Sequence, residues 1–331
     1  MADLKTKYMG LELRSPIIAG SCGLTSDVEK MVEMEKAGVG AVVLKSIFEE
    51  QINEETSGVF KAGYGMGDAY PEAEDYIKAY NRSNTIQKYV ELVRNAKSRL
   101  TIPVIASVNC FSGGEWVSFA RQLEEAGADA LELNVFILPV NEFKESAEVE
   151  NVYFEIVKSI KSQIKIPVSV KISHYFTNLS AFVDKIKAYG ANATTLFNRF
   201  YEPDININTL EMGAASVFST AAELRTTLRW TGILAGKDKR LEISASTGVH
   251  GGEAAVKLLL AGATTVQVCS VLYEKGIHVI EDINNFIGKW MDSKAFKTIE
   301  DYRGMLSYSS IENPDLYERA QFMKYFSNKQ Y

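Results

Sequence analysis

Four stretches of the sequence repeat one pattern, and this pattern decides the fold: KAGVGAVVLK (36–45), EAGADALELN (125–134), AYGANATTLFN (188–198) and LAGATTVQVCS (260–270). In each, the end of an amphipathic helix reaches a glycine, and a β-rich strand follows directly. Glycine suits the position after a helix because it adopts a positive φ without the steric cost of a Cβ atom. Each stretch therefore predicts a helix that leads into a strand.

The remaining strands are preceded by other sequence patterns. TIPVIASVN (101–109) and KIPVSVKIS (165–173) begin with Ile-Pro, and proline is tolerated at the first residues of a strand. LRSPIIAGS (13–21) and RLEISAST (240–247) give two more. The predicted strands span 16–20, 40–45, 103–108, 130–135, 167–172, 193–197, 241–246 and 265–269. The predicted helices span 25–37, 83–98, 114–126, 148–162, 178–189, 217–235, 251–261 and 277–291.

Strands that alternate with helices predict parallel βαβ units, and their apolar runs are typical of strands buried on both faces. A doubly wound open sheet uses the same units. The count of eight and the lack of an early GxGxxG favour a (β/α)8 TIM barrel, an α/β fold, in a single domain over 1–331. Long connections follow strand 2 (46–82) and strand 6 (199–216), at the end where barrel enzymes hold their active sites.

Composition narrows the class of protein. The 331 residues include 36 Lys and Arg against 42 Asp and Glu, so a net charge of −6 argues against nucleic acid as a partner. Three dispersed cysteines and three dispersed histidines give neither a disulfide framework nor a metal-ligand spacing. The sequence has no apolar run of membrane-spanning length. We expect a cytoplasmic protein without a bound metal.

Polar residues collect where the predicted strands end. Because the carboxyl ends of barrel strands meet at one mouth, these side chains should form a ring there. A glycine-bearing turn after strand 7 and a small-residue turn after strand 8 predict an anion site, since their backbone N–H groups can bind phosphate. The ring comprises Lys45, Asn109, Asn134, Lys171, Asn198 with Arg199, and Ser246, and the two turns contain Gly248 and Cys269 with Ser270.

The whole chain resembles the class 1 dihydroorotate dehydrogenases, FMN-dependent barrels of pyrimidine synthesis. The final third carries the strongest match: STGVHGGEAAVKLLLAGATTVQV (246–268) resembles the FMN-phosphate segment of the family, and VLYEKGIHVIEDINNFIGKWMDSKAFKTIEDYRGML (271–306) resembles its tail. PIIAGSCG resembles the strand beneath the flavin. VVLKS, LELN, PVSVKISHYF and LFN carry the family's lysines and asparagines after strands 2, 4, 5 and 6.

This resemblance implies one FMN per chain, an oxidoreductase acting on CH–CH bonds, and a homodimer. Lys45 and Asn134 would be catalytic, and Lys171 would stabilise negative charge at N1 of the reduced flavin. The implied cofactor-binding residues are Gly20, Ser21, Lys45, Asn109, Asn134, Lys171, Asn198, Ser246, Gly248, Cys269 and Ser270. The implied substrate-binding residues are Tyr64, Met66, Gly67, Asn134, Asn198 and Arg199.

The substrate half departs from the family. In the family, a Cys or Ser in the loop after strand 4 removes a proton from dihydroorotate. This chain has Ile137 at that position, and isoleucine cannot accept a proton. The family's asparagine two residues further on is replaced by Pro139, unless a gap in the alignment places Asn141 there. The amide-bearing loop after strand 2 reads Tyr64-Gly65-Met66-Gly67-Asp68-Ala69-Tyr70. Cys110, Tyr64 and Glu142 are alternative proton acceptors in nearby loops. Arg199 replaces a small hydroxylated residue and predicts an anionic substrate.

Three functions therefore compete with plain dihydroorotate oxidation. The leading hypothesis is an FMN-dependent oxidoreductase of this family with an altered substrate or mechanism. The alternatives are a flavin-dependent reductase of another small unsaturated ring, and a non-catalytic paralogue that binds FMN or another ligand. A barrel that binds phosphorylated sugars without flavin is a further possibility, and the colour of the protein would distinguish it.

Overall fold

A computed structural model describes residues 2–48, 71–109 and 116–319, without the side chains of 48, 71–83 and 116. In chain order the strands are β1 (Thr6–Tyr8), β2 (Leu11–Leu13), β3 (Ile17–Ala19), β4 (Ala41–Val43), β5 (Ile47–Phe48), β6 (Val104–Asn109), β7 (Ala130–Asn134), β8 (Val168–Ile172), β9 (Ala193–Leu196), β10 (Pro203–Asn206), β11 (Glu211–Ala214), β12 (Glu242–Ala245) and β13 (Thr265–Val268).

Eight of these strands close into a parallel barrel. The order around it is β3, β4, β6, β7, β8, β9, β12 and β13, and β13 pairs with β3 to complete the ring. Short β5 also pairs with β6. These eight strands lie within one or two residues of the predicted ones, so the predicted (β/α)8 barrel is confirmed.

Helices surround the barrel. They are α1 (Val28–Lys36), α2 (Pro71–Arg99), α3 (Trp116–Glu125), α4 (Ser146–Lys161), α5 (Leu179–Ala188), α6 (Leu224–Lys237), α7 (Gly252–Ala261), α8 (Ser270–Lys275), α9 (Val279–Ser293) and α10 (Asp315–Glu318). Their apolar faces pack on the outside of the barrel, so the largest cluster of buried residues lies between strands and helices.

Two helix starts differ from the predictions by more than three residues. The helix predicted over 217–235 begins at Leu224, because Thr220 and Glu223 form a capping box around a short 3₁₀ turn (Ala221–Glu223). Helix α2 begins at Pro71, so residues 71–82 of the predicted long loop are helical. Residues 49–70 of that loop lie outside the described ranges.

An antiparallel hairpin of β1 and β2, which the sequence analysis did not predict, closes the amino-terminal end of the barrel. Tyr8 and Leu13 are buried there against Ile18, Val43 and Ile105 from the barrel interior. Burial raises the pKa of the Tyr8 phenol, which therefore stays neutral. With this end filled, the carboxyl end is the one available for a ligand.

The predicted loop over 199–216 contains a second antiparallel hairpin, formed by β10 and β11, whose residues are all exposed. Among the described residues, no helix is long and apolar enough to cross a membrane.

Candidate active site

A cavity opens at the carboxyl end of the barrel. Nine of the residues predicted to bind cofactor or substrate line it, although they come from five separate regions of the chain. Parallel strands bring them together, because their carboxyl ends converge. The nine are Gly20, Ser21, Lys171, Asn198, Arg199, Ser246, Gly248, Cys269 and Ser270; Phe197, Val217, Ser219, Thr247, Val249 and Gln267 complete the wall.

Lys171, in β8, provides a buried positive charge in this wall. Its ammonium lies 3.9 Å from Oε1 of Glu132, a side chain on the neighbouring strand β7 that is only 1% exposed. The other carboxylate oxygen, Oε2, accepts hydrogen bonds from Thr195 (2.9 Å) and from Gln267 Nε2 (2.7 Å). Glu132 is therefore held from two other barrel strands, β9 and β13, and its Oε1 is the oxygen nearest the lysine.

Two buried acceptor atoms of this cluster have no hydrogen-bond donor among the described residues, Glu132 Oε1 and Gln267 Oε1. A buried acceptor without a donor costs free energy, about 1–3 kcal/mol. Gly20 passes close to Gln267, since an added Cβ would lie 3.2 Å from Oε1. The site thus combines a hydrogen-bond acceptor without a donor, a buried cation, and a glycine that leaves space beside them.

Ser21 is fixed by hydroxyl contacts below the cavity. Its Oγ lies 3.0 Å from Ser46 Oγ and accepts the backbone N–H of Ser46 at 2.9 Å. Ser46 in turn lies 2.7 Å from Ser107 Oγ, within the barrel. This chain of hydroxyls links β3, β4 and β6 and holds the first strand of the predicted flavin site in position.

The predicted asparagines and Lys45 are in different surroundings. Asn198 Nδ2 donates to Asn134 Oδ1 at 2.9 Å, so these two amides orient each other. Asn109 is buried at the end of β6, and its Oδ1 has no partner among the described residues. Lys45 is exposed and does not line the cavity. Lys171 is therefore the predicted lysine that this cavity contains.

The turn after β12 contains strained backbone beside the cavity. Thr247 and Gly248 both have left-handed φ values, 78° and 79°. Such values are unusual for a β-branched residue and favourable for glycine. Thr247 Oγ1 donates to the carbonyl of Phe197 (3.0 Å), which stabilises the conformation. An added Cβ on Gly248 would collide with the backbone nitrogen of Leu224, so this turn packs directly on the start of α6.

A polar chain that the sequence analysis missed continues from this turn. Ser219 Oγ donates to Ser270 Oγ (3.1 Å) and lies 3.3 Å from Nε2 of His250. His250 Nδ1 lies 3.1 Å from Oε2 of Glu274, and the Lys275 ammonium donates to the His250 carbonyl at 2.9 Å. Two hydroxyls and an oriented imidazole therefore lie at the side where an anion was predicted.

Arg199 lines the cavity, but its guanidinium is occupied. Nε donates to Glu223 (3.1 Å), a second nitrogen donates to the Val217 carbonyl (3.1 Å), and the third donates to Glu202 (3.3 Å). These contacts attach the β10–β11 hairpin to the start of α6. In this arrangement two carboxylates already neutralise the arginine.

Comparison with known proteins gives the family of the chain. A sequence profile of the family described as dihydroorotate dehydrogenase matches residues 3–291. The chain belongs to the dihydroorotate dehydrogenase family. It is 30% identical, over 92% of its length and 99% of the relative's, to the dihydroorotate dehydrogenase B (NAD(+)), catalytic subunit, of Thermoplasma acidophilum. The Pyrococcus furiosus protein of the same name is 26% identical, over 92% of this chain and 98% of its own. The predicted class 1 resemblance is confirmed.

In this member of the dihydroorotate dehydrogenase family, Ile137 is not among the residues that line the cavity. It lines a different cleft with Pro139, Tyr153 and Phe176, and its backbone N–H donates to the Tyr153 hydroxyl at 3.3 Å. Burial raises the pKa of Tyr153 to about 12, so this phenol is not a base at neutral pH.

The alternative acceptor Glu142 is exposed, and Asn141 caps its own turn by accepting from the N–H of Phe143. Tyr64, Met66, Gly67 and Cys110 lie outside the described residues.

His174 is a titratable group that the sequence analysis did not select. It follows β8 and lines a second cleft that shares Phe197, Asn198, Arg199 and Thr247 with the first. Its ring packs against Tyr175 and edge-on against Phe197, at centroid distances of 4.3 and 5.8 Å. Partial burial lowers the pKa of His174, so the neutral imidazole, which can accept a proton, predominates at pH 7.

Proposed function

We propose that this chain is an FMN-dependent oxidoreductase that retains the cofactor half of the family's site and has an altered substrate half. The observation that carries the proposal is the buried Lys171 ammonium in one cavity with the unpaired acceptor Gln267 Oε1. The pyrimidine edge of a flavin presents both hydrogen-bond acceptors and an N–H donor. The Lys171 cation, the Gln267 acceptor and the space that Gly20 leaves fit that edge.

At the ring end, FMN when bound would supply an acceptor for two electrons and a proton. Lys171 would hold a fixed positive charge where the ring is most electron-rich, and Glu132 would keep the ammonium in place. Asn134 and Asn198 orient each other through one hydrogen bond, and each amide retains further donor and acceptor capacity for a ligand.

At the other end of the cavity, the turn at Gly248 and the hydroxyls of Ser219 and Ser270 would hold the phosphate. His250 Nε2 lies 3.3 Å from Ser219 Oγ, and Glu274 holds the imidazole in place through its contact with Nδ1. Hydroxyl donors beside an oriented imidazole suit a phosphate group. The residues of this end come from the loops after β9 and β12 and from the turn after β13.

The substrate side supports a change of substrate or mechanism. Oxidation of dihydroorotate needs a proton acceptor opposite the flavin, and Ile137 supplies none. His174, neutral at pH 7 and bordering the adjoining cleft, is the described residue that best fits this role. Reduction of another unsaturated ring would use the same imidazole as a proton donor. The place of Ile137 in the lining of a separate cleft also supports the non-catalytic FMN-binding alternative.

We also propose that the protein is cytoplasmic and that two copies of the chain form a homodimer. The β10–β11 hairpin supports association because it exposes a row of large apolar side chains. Ile205, Ile207, Leu210 and Met212 are 60–85% exposed. Exposed apolar patches of this kind mark interaction surfaces. Sedimentation of the purified protein should give a dimer mass, and Ile207→Asp with Leu210→Asp should give a monomer.

The content of flavin in the purified protein tests the central proposal. We expect a yellow protein that releases one FMN per chain on denaturation, as expected for non-covalent binding. Lys171→Met should retain less FMN, whereas Lys7→Met, at an exposed lysine on β1, should retain the normal amount. Colourless protein that fails to bind added FMN would contradict both the oxidoreductase and the FMN-binding paralogue.

A further inference from the structure

Two cysteine side chains that are far apart in sequence meet beside the cavity. Cys22 follows β3 and precedes a 3₁₀ turn (Gly23–Ser26), whereas Cys269 follows β13 and lines the cavity. Strands β3 and β13 are paired, with Ala19 opposite Val268, so the two cysteines follow the ends of neighbouring strands. Both are partly buried free thiols, and each is the largest influence on the pKa of the other. Cys269 Sγ also lies 4.0 Å from the carbonyl oxygen of Ser21. The fold thus creates a contact between two thiols.

The surroundings of Cys22 stabilise its thiolate. The polar groups nearest its sulfur are the Cys269 thiol, the backbone N–H groups of Leu24 and Thr25, and the Tyr273 hydroxyl, and all of them favour the ionised form. Although burial opposes ionisation, these groups lower the pKa of Cys22 to about 6. Most of this thiol is therefore ionised at pH 7, and the thiolate is the nucleophilic form of cysteine.

Tyr273 is held in place as one of these groups. Its hydroxyl oxygen accepts the backbone N–H of Leu24 at 3.2 Å, and its ring stacks on Phe218 at a centroid distance of 5.3 Å. Burial and the neighbouring Cys22 raise the pKa of Tyr273 to about 12, so the phenol keeps its proton at neutral pH. The set of polar groups around Cys22 is therefore preorganised.

Cys269 has the complementary character. Its polar contact with Cys22 raises its pKa, and burial and the negative charge of Cys22 raise it further. Lys171 acts in the opposite direction, as a nearby positive charge. Once the Cys22 sulfur is capped, both contributions of Cys22 disappear, and Lys171 then favours the Cys269 thiolate. The pair is thus arranged as an attacking thiol and a second thiol that ionises after the first has reacted.

We propose that Cys22 and Cys269 are a redox-active thiol pair that reacts with low-molecular-weight disulfides. The Cys22 thiolate attacks one sulfur of the external disulfide, that S–S bond breaks, and the first small thiolate leaves and takes up a proton. Cys269 then loses its proton and attacks Cys22 Sγ in the mixed disulfide, and the second small thiol leaves. Two electrons pass from the protein to the external disulfide, and one intramolecular disulfide is formed.

This inference goes beyond the proposed function, because it needs neither FMN nor a substrate. Its location nevertheless relates the two. The disulfide would tie the end of β3 to the turn before Ser270, whose hydroxyl contacts Ser219 in the predicted phosphate end. The pair therefore lies where oxidation can alter the shape of the cavity.

Disulfide mapping tests the proposal with the unmodified chain. The reduced protein is treated with oxidised glutathione, then alkylated, digested with trypsin and analysed without reduction. We expect the peptide over 15–30, which contains Cys22, to be linked to the peptide over 258–275, which contains Cys269. Alkylation of Cys22 before oxidation should accelerate as the pH rises through about 6. A lasting glutathione adduct on Cys22 without the linked peptides would overturn the proposal, as would a link to the peptide over 100–121, which contains Cys110.

Matched variants separate the two steps. Cys110→Ser should still form the linked peptides, Cys269→Ser should stop at the mixed disulfide on Cys22, and Cys22→Ser should react slowly at neutral pH. Thermal unfolding of each variant identifies any that fail to fold, in which case the mapping of the unmodified chain decides. Linked peptides in a protein that binds no FMN would support the thiol pair while contradicting the proposed function, so the two failures are distinguishable.

Discussion

The carboxylate of Glu132 lies 3.9 Å from the ammonium of Lys171, and both side chains are buried at the carboxyl end of the barrel. Thr195 and Gln267 hold the other carboxylate oxygen from β9 and β13. Residues of four strands, β7, β8, β9 and β13, therefore contribute to the position of Lys171. We take this lysine as the centre of the proposed flavin site. Glu132 acts through Lys171 and is a positioning residue.

Removing the Lys171 charge should weaken binding of reduced FMN more than binding of oxidised FMN. Deleting a hydrogen-bonded charge beside an anion costs about 1–3 kcal/mol, so the two-electron potential of Lys171→Ala should fall by the corresponding amount. Spectroelectrochemical titration of the FMN-loaded protein measures this. Lys7→Ala, at an exposed lysine, should leave the potential unchanged. An unchanged potential in Lys171→Ala with normal FMN binding would place the lysine away from the ring.

The buried ion pair should also be visible in the stability of the apo-protein. Glu132→Gln and Lys171→Met each leave an unpaired buried charge, and each should reduce the free energy of unfolding by about 3–5 kcal/mol. The double variant should lose clearly less than the sum, since neither charge remains. The exposed pair Lys30–Glu33, changed in the same way, should show coupling below about 1 kcal/mol in urea unfolding. Additive losses at Glu132 and Lys171 would contradict their direct interaction.

Gly248 should be intolerant of a side chain. Its left-handed φ costs a non-glycine residue roughly 1–2 kcal/mol, and the clash with the start of α6 adds about 1–3 kcal/mol. Gly251→Ala is the matched control, since its φ is 173° and its added Cβ meets open space. Chemical denaturation should show a large loss of stability for Gly248→Ala and almost none for Gly251→Ala. Equal stabilities would contradict the described turn.

His250 should affect the phosphate rather than the ring. His250→Asn removes the contact with Ser219 and should weaken FMN binding by about tenfold, equivalent to about 1.4 kcal/mol. Riboflavin, which lacks the phosphate, should bind both proteins equally. Fluorescence titration of the apo-proteins with the two flavins measures this difference. If riboflavin binding weakens as much as FMN binding, the substitution has disturbed the fold and not a phosphate contact.

The barrel could be predicted from the sequence because the signals that begin and end its helices and strands are local. A glycine after four of the helices and apolar runs in the strands repeat along the chain, so local patterns gave the order of the elements. The β1–β2 hairpin escaped prediction, since each strand has only three residues and the turn contains Met9 at φ 53°. The start of α6 could have been found, because Thr220 and Glu223 have the spacing of a capping box.

The candidate site was predictable only where strands end. Lys171 and Asn198 could be placed at one mouth because parallel strands converge there. The contacts of Ser219 with His250 and of Cys22 with Cys269 join loops that lie far apart in sequence, and no local pattern encodes them. The engagement of Arg199 by Glu202 and Glu223 depends in the same way on the path of the β10–β11 hairpin.

Stopped-flow mixing of the FMN-loaded protein with dihydroorotate, without oxygen, tests the central claim most directly. The account predicts bound FMN that dihydroorotate reduces very slowly, because general-base catalysis is worth about 10²–10⁴-fold in rate and Ile137 cannot provide it. Ile137→Cys alone should restore little, since that side chain lines a different cleft. Fast, saturable bleaching of the flavin by dihydroorotate in the unmodified protein would contradict the claim that the substrate half of the site has changed.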